Sequence, residues 1–280
     1  MPSFLEQFKR QPKIFVNLPS QGAFYNNDII ENSKITDIPV YGMNTMDELV
    51  LKTPDALFSG EATARILKSC IPSVLDPWKL INTDVDFFLI AIRVASYGEK
   101  LPVTTVCPSC ETSTDSDLNL SKLLSHYDNI NGYTTVNYNG LIITVRSVTY
   151  QSATEISKEN YVNEKSLLNI TTSNALSDEQ KDKQKQTIYD HMTRVNFKSI
   201  LQHIDNISDG ENIEKDPIEI NNFLAEADRD LFELLASTIK KLNKEWEMPD
   251  MSVICSNEDC KKSYKSKITI DYSTFFAARS

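Results

Sequence analysis

The chain of 280 residues is short of the residues on which much protein chemistry depends. It has only seven glycines. Phosphate-cradling loops and turn-dense barrels need glycine where the backbone takes positive φ or lies against a ligand, so this scarcity argues against both. There are three histidines, His126, His191 and His203, and none lies in a motif. Gly-x-Ser-x-Gly, the P-loop, the dinucleotide fingerprint and His-Glu-x-x-His are all missing. The acid pairs Asp84/Asp86 and Glu226/Asp228 read as a helix first turn and a solvated face, not as a general acid and base. No apolar run approaches the ~18 residues of a membrane span. Met1–Phe15 lacks the apolar core and small-residue cleavage site of a secretory leader, so the protein reads as intracellular. Positive charge is outweighed, with 29 Lys and Arg against 39 Asp and Glu, a net of −10. That balance repels nucleic acid and anionic lipid at long range and suits a partner with a basic face.

What is present reads as an ordinary globular composition, 40% hydrophobic and 24% charged. Residues 1–40 are irregular, with short extended pieces at Ile14–Val16 and Ile38–Tyr41. Between Thr45 and Ile92 the pattern is helical. Asn44 or Thr45 caps a segment running through Leu51 that Pro54 stops. Ser59 caps a helix over Gly60–Ile71, which Pro72 ends. Thr83 with Asp86 forms a capping-box-like pair for a helix over about 84–96, whose Phe87, Ile90, Ala91 and Val94 share a core face; Gly98 closes it. From residue 101 the character turns to β. Val103–Val106 is β-branched, a polar run Glu111–Asp117 follows, and Tyr133–Tyr138 and Leu141–Val148 flank Asn139-Gly140, a strong hairpin signal. Residues 151–222 are polar, with helices over Glu155–Leu168 and Ser177–Asn196. Asp205–Glu219 reads as an acidic loop. A long amphipathic helix spans Phe223–Trp246, stopped by Pro249. Met251–Ile254 and Lys267–Tyr272 are strand-like.

Cysteine is the informative residue. Five are present. Cys107-Pro-Ser-Cys110 and Cys255-x4-Cys260 are close pairs, each entered by a short β-prone run. In a reducing compartment such pairs bind metal more often than they form disulfides. Zinc in a structural site takes four soft ligands in a tetrahedron, and two ligands near in sequence make half a site at little entropy cost. We therefore expect Cys107, Cys110, Cys255 and Cys260 to form one structural zinc site, of zinc-ribbon type. Unrelated thiols or disulfides are the bland alternative. Residues 111–254 separate the pairs, which loop-closure entropy tolerates because it grows only logarithmically with length. Four thiolates leave no open position for substrate, and the polar sequence after Cys110 is not the helix start that activates a redox Cys-x-x-Cys. Cys70, on an apolar helix face, reads as a small buried hydrophobe. Lys261, Lys262, Lys265 and Lys267 cluster beside the second pair with Tyr264. They keep a nucleic-acid-binding zinc ribbon open as the second reading.

The order of these features carries a resemblance. Leu18-Pro-Ser-Gln-Gly-Ala-Phe-Tyr25 precedes Met46-Asp-Glu-Leu49. Thr53-Pro-Asp-Ala-Leu-Phe-Ser-Gly-Glu-Ala62 and Ile66-Leu-Lys-Ser-Cys-Ile71 come next. Asp84-Val-Asp-Phe-Phe-Leu-Ile-Ala-Ile-Arg-Val-Ala-Ser-Tyr-Gly98 then leads to Val106-Cys-Pro-Ser-Cys110. The chain resembles the T4-type phage baseplate proteins, the hub subunits and hub-assembly proteins of contractile-tailed phages. The likeness runs over about residues 14–115 and is looser over 116–150 and the C-terminal cysteine half; none is claimed over 155–220. Two departures stand out: Glu111 where a glycine commonly follows the first cysteine pair, and Cys-x4-Cys in the second. The resemblance implies a non-enzymatic component or assembly factor of the central baseplate hub. It would act on other hub proteins, in the host cytoplasm during assembly or in the virion baseplate, without small-molecule substrate or membrane.

The expected architecture is α+β: a mostly helical N-terminal region over 1–100, and a zinc-ribbon-like antiparallel β module over 101–150 and 247–280. A helical insertion, 151–246, with its acidic loop, splits that module.

Overall fold

The computed structural model describes residues 10–31, 35–53, 58–127, 130, 132–267 and 275–276. The fold is α+β, as expected, built on small antiparallel sheets. The chain divides into two compact units, Met1–Asn131 with Trp246–Ser280, and Gly132–Glu245.

In the first unit, β1 (Pro12–Val16) pairs antiparallel with β2 (Ile38–Tyr41). Ile38 and Val40 alternate inward and are fully buried. Helix α1 (Thr45–Leu51) starts at Asn44, whose side chain accepts from the Met46 and Asp47 backbone while Asp47 returns a bond to the Asn44 N–H. This is a complete capping box. Helix α2 (Glu61–Cys70) follows Gly60, which takes φ 85. The expected Pro54 stop lies outside the described residues.

Helix α3 (Asn82–Tyr97) is the centre of this unit. Periodicity marks one face as core, yet Val85, Phe87, Phe88, Leu89, Ile90, Ala91, Ile92 and Val94 are all buried. A helix apolar on all sides is surrounded by its own protein. Its start differs from the expected Thr83/Asp86 box. Ile81 is the N-cap, without a side-chain bond, and Thr83 is buried inside the first turn. Asp84 instead turns its carboxylate inward, accepting from Ser20 Oγ and Tyr25 OH, each at 2.6 Å. It thereby anchors the Leu18–Gly22 turn to α3. Gly98, at φ 87, ends the helix as expected. Arg93 donates from Nε to the Phe275 carbonyl at 2.9 Å, and Phe275 and Phe276 are buried.

Strands β3 (Lys100–Val106) and β4 (Ser113–Asn119) then form an unbroken antiparallel hairpin. Most of the polar run after Cys110 is thus strand; a two-stranded ribbon buries too little to impose apolar alternation. Helix α4 (Leu120–Tyr127) follows, and Tyr127 stacks on Trp246 with ring centroids 5.5 Å apart. That stack holds together the two points where the chain leaves and re-enters this unit.

The second unit is a four-stranded antiparallel sheet with helices packed on one face. Strands β5 (Tyr133–Tyr138) and β6 (Leu141–Arg146) meet at Asn139 and Gly140, with φ 49 and 84. Both positions are left-handed, as a two-residue type I′ hairpin requires. Next comes a helical hairpin, α5 (Tyr150–Thr172) and α6 (Asp178–Gln202), capped by Thr149 and by a Ser177 capping box. Two further strands, β7 (Ile204–Ser208) and β8 (Ile213–Glu214), complete the sheet in the order β5-β6-β7-β8. Here the expected acidic loop is corrected: 204–214 is a hairpin that continues the sheet from β6.

The expected single helix from 223 to 246 is likewise two, α7 (Pro217–Ala225) and α8 (Arg229–Glu245). Asp228 interrupts it. Its carboxylate accepts from the Leu231 N–H at 3.0 Å and from Tyr138 OH, capping α8. Ile143, Val145, Ile204, Ile207, Leu231, Leu235 and Leu242 form the core between sheet and helices.

The C-terminal segment returns to the first unit as β9 (Met251–Ile254) and β10 (Ser263–Ser266), an antiparallel pair. Of the expected strand Lys267–Tyr272, all but Lys267 lies outside the described residues.

Candidate metal centre

Two hairpins build the site in the same way. In the first, Val106 pairs with Ser113 as the last rung, and Cys107 begins the turn. In the second, Ile254 pairs with Ser263, and Cys255 begins the turn. The Cys107 N–H donates to the Thr112 carbonyl at 3.0 Å, and the Cys255 N–H donates to the Lys262 carbonyl at 3.0 Å. Each turn thus closes beneath its first cysteine.

The residue after the second cysteine is left-handed in both turns, Glu111 at φ 57 and Lys261 at φ 45. The Glu111 N–H reaches back to the Cys107 carbonyl at 2.9 Å, and the Lys261 N–H to the Asn257 carbonyl at 3.0 Å. The longer second turn absorbs its two extra residues through Asn257. Its carbonyl also takes the Cys260 N–H at 3.0 Å, and its side-chain oxygen takes the Asp259 N–H at 3.0 Å.

These turns bring together all four expected residues. The Sγ atoms of Cys107, Cys110, Cys255 and Cys260 lie within 4.8 Å of one another. Cys110 and Cys255 sulfurs are 3.5 Å apart, and those of Cys107 and Cys260 are 4.0 Å apart. A disulfide needs about 2.05 Å. A tetrahedron of thiolates around zinc, with bonds of about 2.3 Å, has edges of about 3.8 Å. The donor set and its spacing fit such an ion. Cys107 and Cys255 are buried, while Cys110 and Cys260 sit at the rim.

Hydrogen bonds from Thr112, side chain first and then backbone, draw the Cys110 thiol down to about 6. Cys255 is pulled down by the Asn257 N–H, but desolvation and the neighbouring thiols outweigh it and hold the thiol at about 11. Cys110 therefore ionises ahead of Cys255, and a cation held by both would displace the Cys255 proton.

A shell of small polar groups locks one hairpin to the other. Thr114 Oγ1 accepts from the Ser256 N–H at 3.1 Å and lies 3.2 Å from Ser256 Oγ. Asn257 Nδ2 donates to Thr112 Oγ1 at 3.4 Å, and Thr105 Oγ1 meets Tyr264 OH at 2.8 Å. Sequence reading passed over these residues. The one available signal is position: Thr112 and Ser256 are next to, or one residue from, the cysteines.

The remaining candidates lie elsewhere. Cys70 is fully buried on α2, and desolvation, followed by the Asp47 carboxylate, pushes its thiol up to about 12. His126 packs edge-on against Tyr127, His191 Nδ1 is 3.0 Å from Asn163 Oδ1, and His203 Nδ1 is 2.7 Å from the Ser199 carbonyl. Burial lowers the His203 pKa. Among the described residues the four cysteines are the one cluster of three or more such groups close enough to share an ion. Among the same residues no helix is long and apolar enough to cross a membrane.

Fold and site together define a class: an α+β protein in which two distant cysteine hairpins close on one four-thiol centre. The chain belongs to the T4 bacteriophage base plate protein family, whose model matches residues 40–277. That span takes in both cysteine turns and every quoted motif from Met46 onward, and leaves Leu18–Tyr25 outside. No match was found among curated proteins or among solved structures.

Proposed function

We propose that this protein is a non-enzymatic part of the central baseplate hub, or a factor in hub assembly, and that Cys107, Cys110, Cys255 and Cys260 bind one structural zinc ion. The observation that carries this reading is the convergence of the four thiols within a family-matched span. Cys107 and Cys110 would hold the ion from the β3–β4 turn, Cys255 and Cys260 from the β9–β10 turn. Four thiolates complete the shell, so the ion would supply rigidity and no site for a substrate water. The protein would then act through its surfaces, on other hub proteins.

Two measurements test this. Metal analysis of the purified protein should give one zinc per chain, and Cys107→Ser should lose it together with several kcal/mol of stability. A metal-free wild type with the same melting temperature as Cys107→Ser would sink the zinc reading. Capture of the tagged protein from infected cells should recover baseplate proteins. Recovery of nucleic acid alone would favour the zinc-ribbon nucleic-acid reading, for which the exposed Lys261, Lys262, Lys265 and Lys267 speak.

A further inference from the structure

We propose that this protein associates with itself head to tail, the basic face beside its second cysteine turn seating on the acidic segment 209–219 of another copy. This goes beyond the hub reading and does not depend on it.

The basic face is an outward sheet surface. In the β9–β10 pair, Ile254 lies opposite Ser263 and Lys265 opposite Ser252, so these four share one face. Ile254 is 69% exposed. Lys261, Lys262 and Lys267 flank it, all exposed. The other face of the pair carries Val253 and Tyr264, turned inward, with the Tyr264 hydroxyl on Thr105. The exposed face therefore offers an apolar centre ringed by lysines, with no aromatic ring for a base to stack on. A protein surface of acid and aliphatic side chains fits it better than a nucleic-acid strand does.

The chain itself carries such a surface. Residues 209–219 are exposed throughout, and hold Asp209, Glu211, Glu214, Asp216 and Glu219 against the single base Lys215. In their midst Ile213 and Ile218 are 64% and 67% exposed. Ser208 pairs with both Ile213 and Ile142, which sets Ile142 on the same sheet face as Ile213. Ile142 and Ile213 thus make an apolar patch on one sheet face, and the acids of 209–219 lie beside it along the chain, of opposite sign to the lysines. Among the described residues, no salt bridge engages any of these five acids or the four lysines. The two faces belong to different units of the chain. A contact between unlike faces is heterologous, and repeats from copy to copy until a ring closes.

Sedimentation of the full chain at rising concentration tests this. At about 50 mM salt the mass should rise above the 31.8 kDa of one chain. Association should weaken at least about tenfold near 500 mM, where screening shortens the Debye length to about 4 Å. A double variant Lys262→Glu/Lys265→Glu should stay monomeric, and so should Glu211→Lys/Glu219→Lys. Each retains one intact face, so an equimolar mixture should form a dimer and nothing larger. Circular dichroism and a metal assay confirm that each variant is folded, and Ile213→Ser serves as an uncharged check with the same expected loss. A monomer at every concentration and salt would overturn the proposal. So would association that both double variants leave unchanged. Binding of a DNA duplex by the monomer, abolished by Lys262→Glu/Lys265→Glu, would assign the basic face to nucleic acid instead.

Discussion

Glu111 and Lys261 occupy a conformation that L side chains enter at a cost of about 1 kcal/mol, and each does so directly after the second cysteine of its turn. Glycine pays no such cost, so Glu111→Gly should stabilise the zinc-loaded protein by up to about 1 kcal/mol, less what a freer unfolded chain takes back. Urea midpoints of the two proteins measure it; a clear loss of stability would mean that the Glu111 side chain makes a contact the turn needs. Asp84 is the other residue under strain, electrostatic in kind. Burial raises its carboxyl from 3.8 to about 6, against the pull of Ser20 and Tyr25. The folded state then holds this proton more tightly than the unfolded chain does. Its contribution is greatest below about pH 4 and is lost as pH rises to about 6, on the order of 3 kcal/mol in all. Asp84→Asn should remove that fall. Comparing unfolding free energies at pH 4, 5 and 6.5 isolates the term from the other carboxylates. At this scale the clustering of the four cysteines was legible from their spacing and the β-prone runs that enter each pair. Asp84 was legible as a helix-start acid but not as a buried one, because its partners lie about sixty residues earlier, on the Leu18–Tyr25 turn.

Elements were legible where the signal is local. Asn139-Gly140 placed a turn, Asn44 or Thr45 a helix start, and Gly98 a helix end. They failed where the cause is distant. Strands β7 and β8 are short and carry Asp205, Asn206 and Glu214 among their isoleucines, and they form because β6 offers an apolar edge with Ile143 against Ile207. Residues 223–246 keep helical periodicity across 226–228, so nothing in the pattern announces the break that Asp228 and Tyr138 make together. Helix α8 depends on that core: Leu235 is fully buried against the sheet. Leu235→Ala should cost about 3 kcal/mol. A melt followed by far-ultraviolet circular dichroism should show the loss, with zinc content unchanged. Zinc loss in that variant would show that the two units do not fold separately.

For the whole molecule, the two units make separate demands. The cysteine centre lies wholly in the first, and the β5-β6-β7-β8 core wholly in the second. With zinc bound by the four cysteines as proposed, chelation should destabilise one thermal transition by several kcal/mol and leave a second in place. At about 2–4 °C per kcal/mol for units of this size, calorimetry resolves the two. A single transition that shifts as a whole would mean that the units unfold as one. Residues 111–254, lying between the cysteine pairs, announced a long intervening stretch. That the 133–146 hairpin shares a sheet with β7 and β8 was not legible, since a strand pair carries no mark of the sheet that it will join.

The insertion of Gly132–Glu245 between Cys110 and Cys255 also has a mechanical meaning. With an ion held by all four sulfurs, the chain runs from β3 to β10 by a short path through the metal as well as by the long covalent one. Tension applied to the two outer parts of the chain would load the thiolate bonds first. The inserted unit would hang from the load path as a side branch, unstretched until those bonds gave way. Such a branch keeps its surfaces in shape while its anchorage bears the pull.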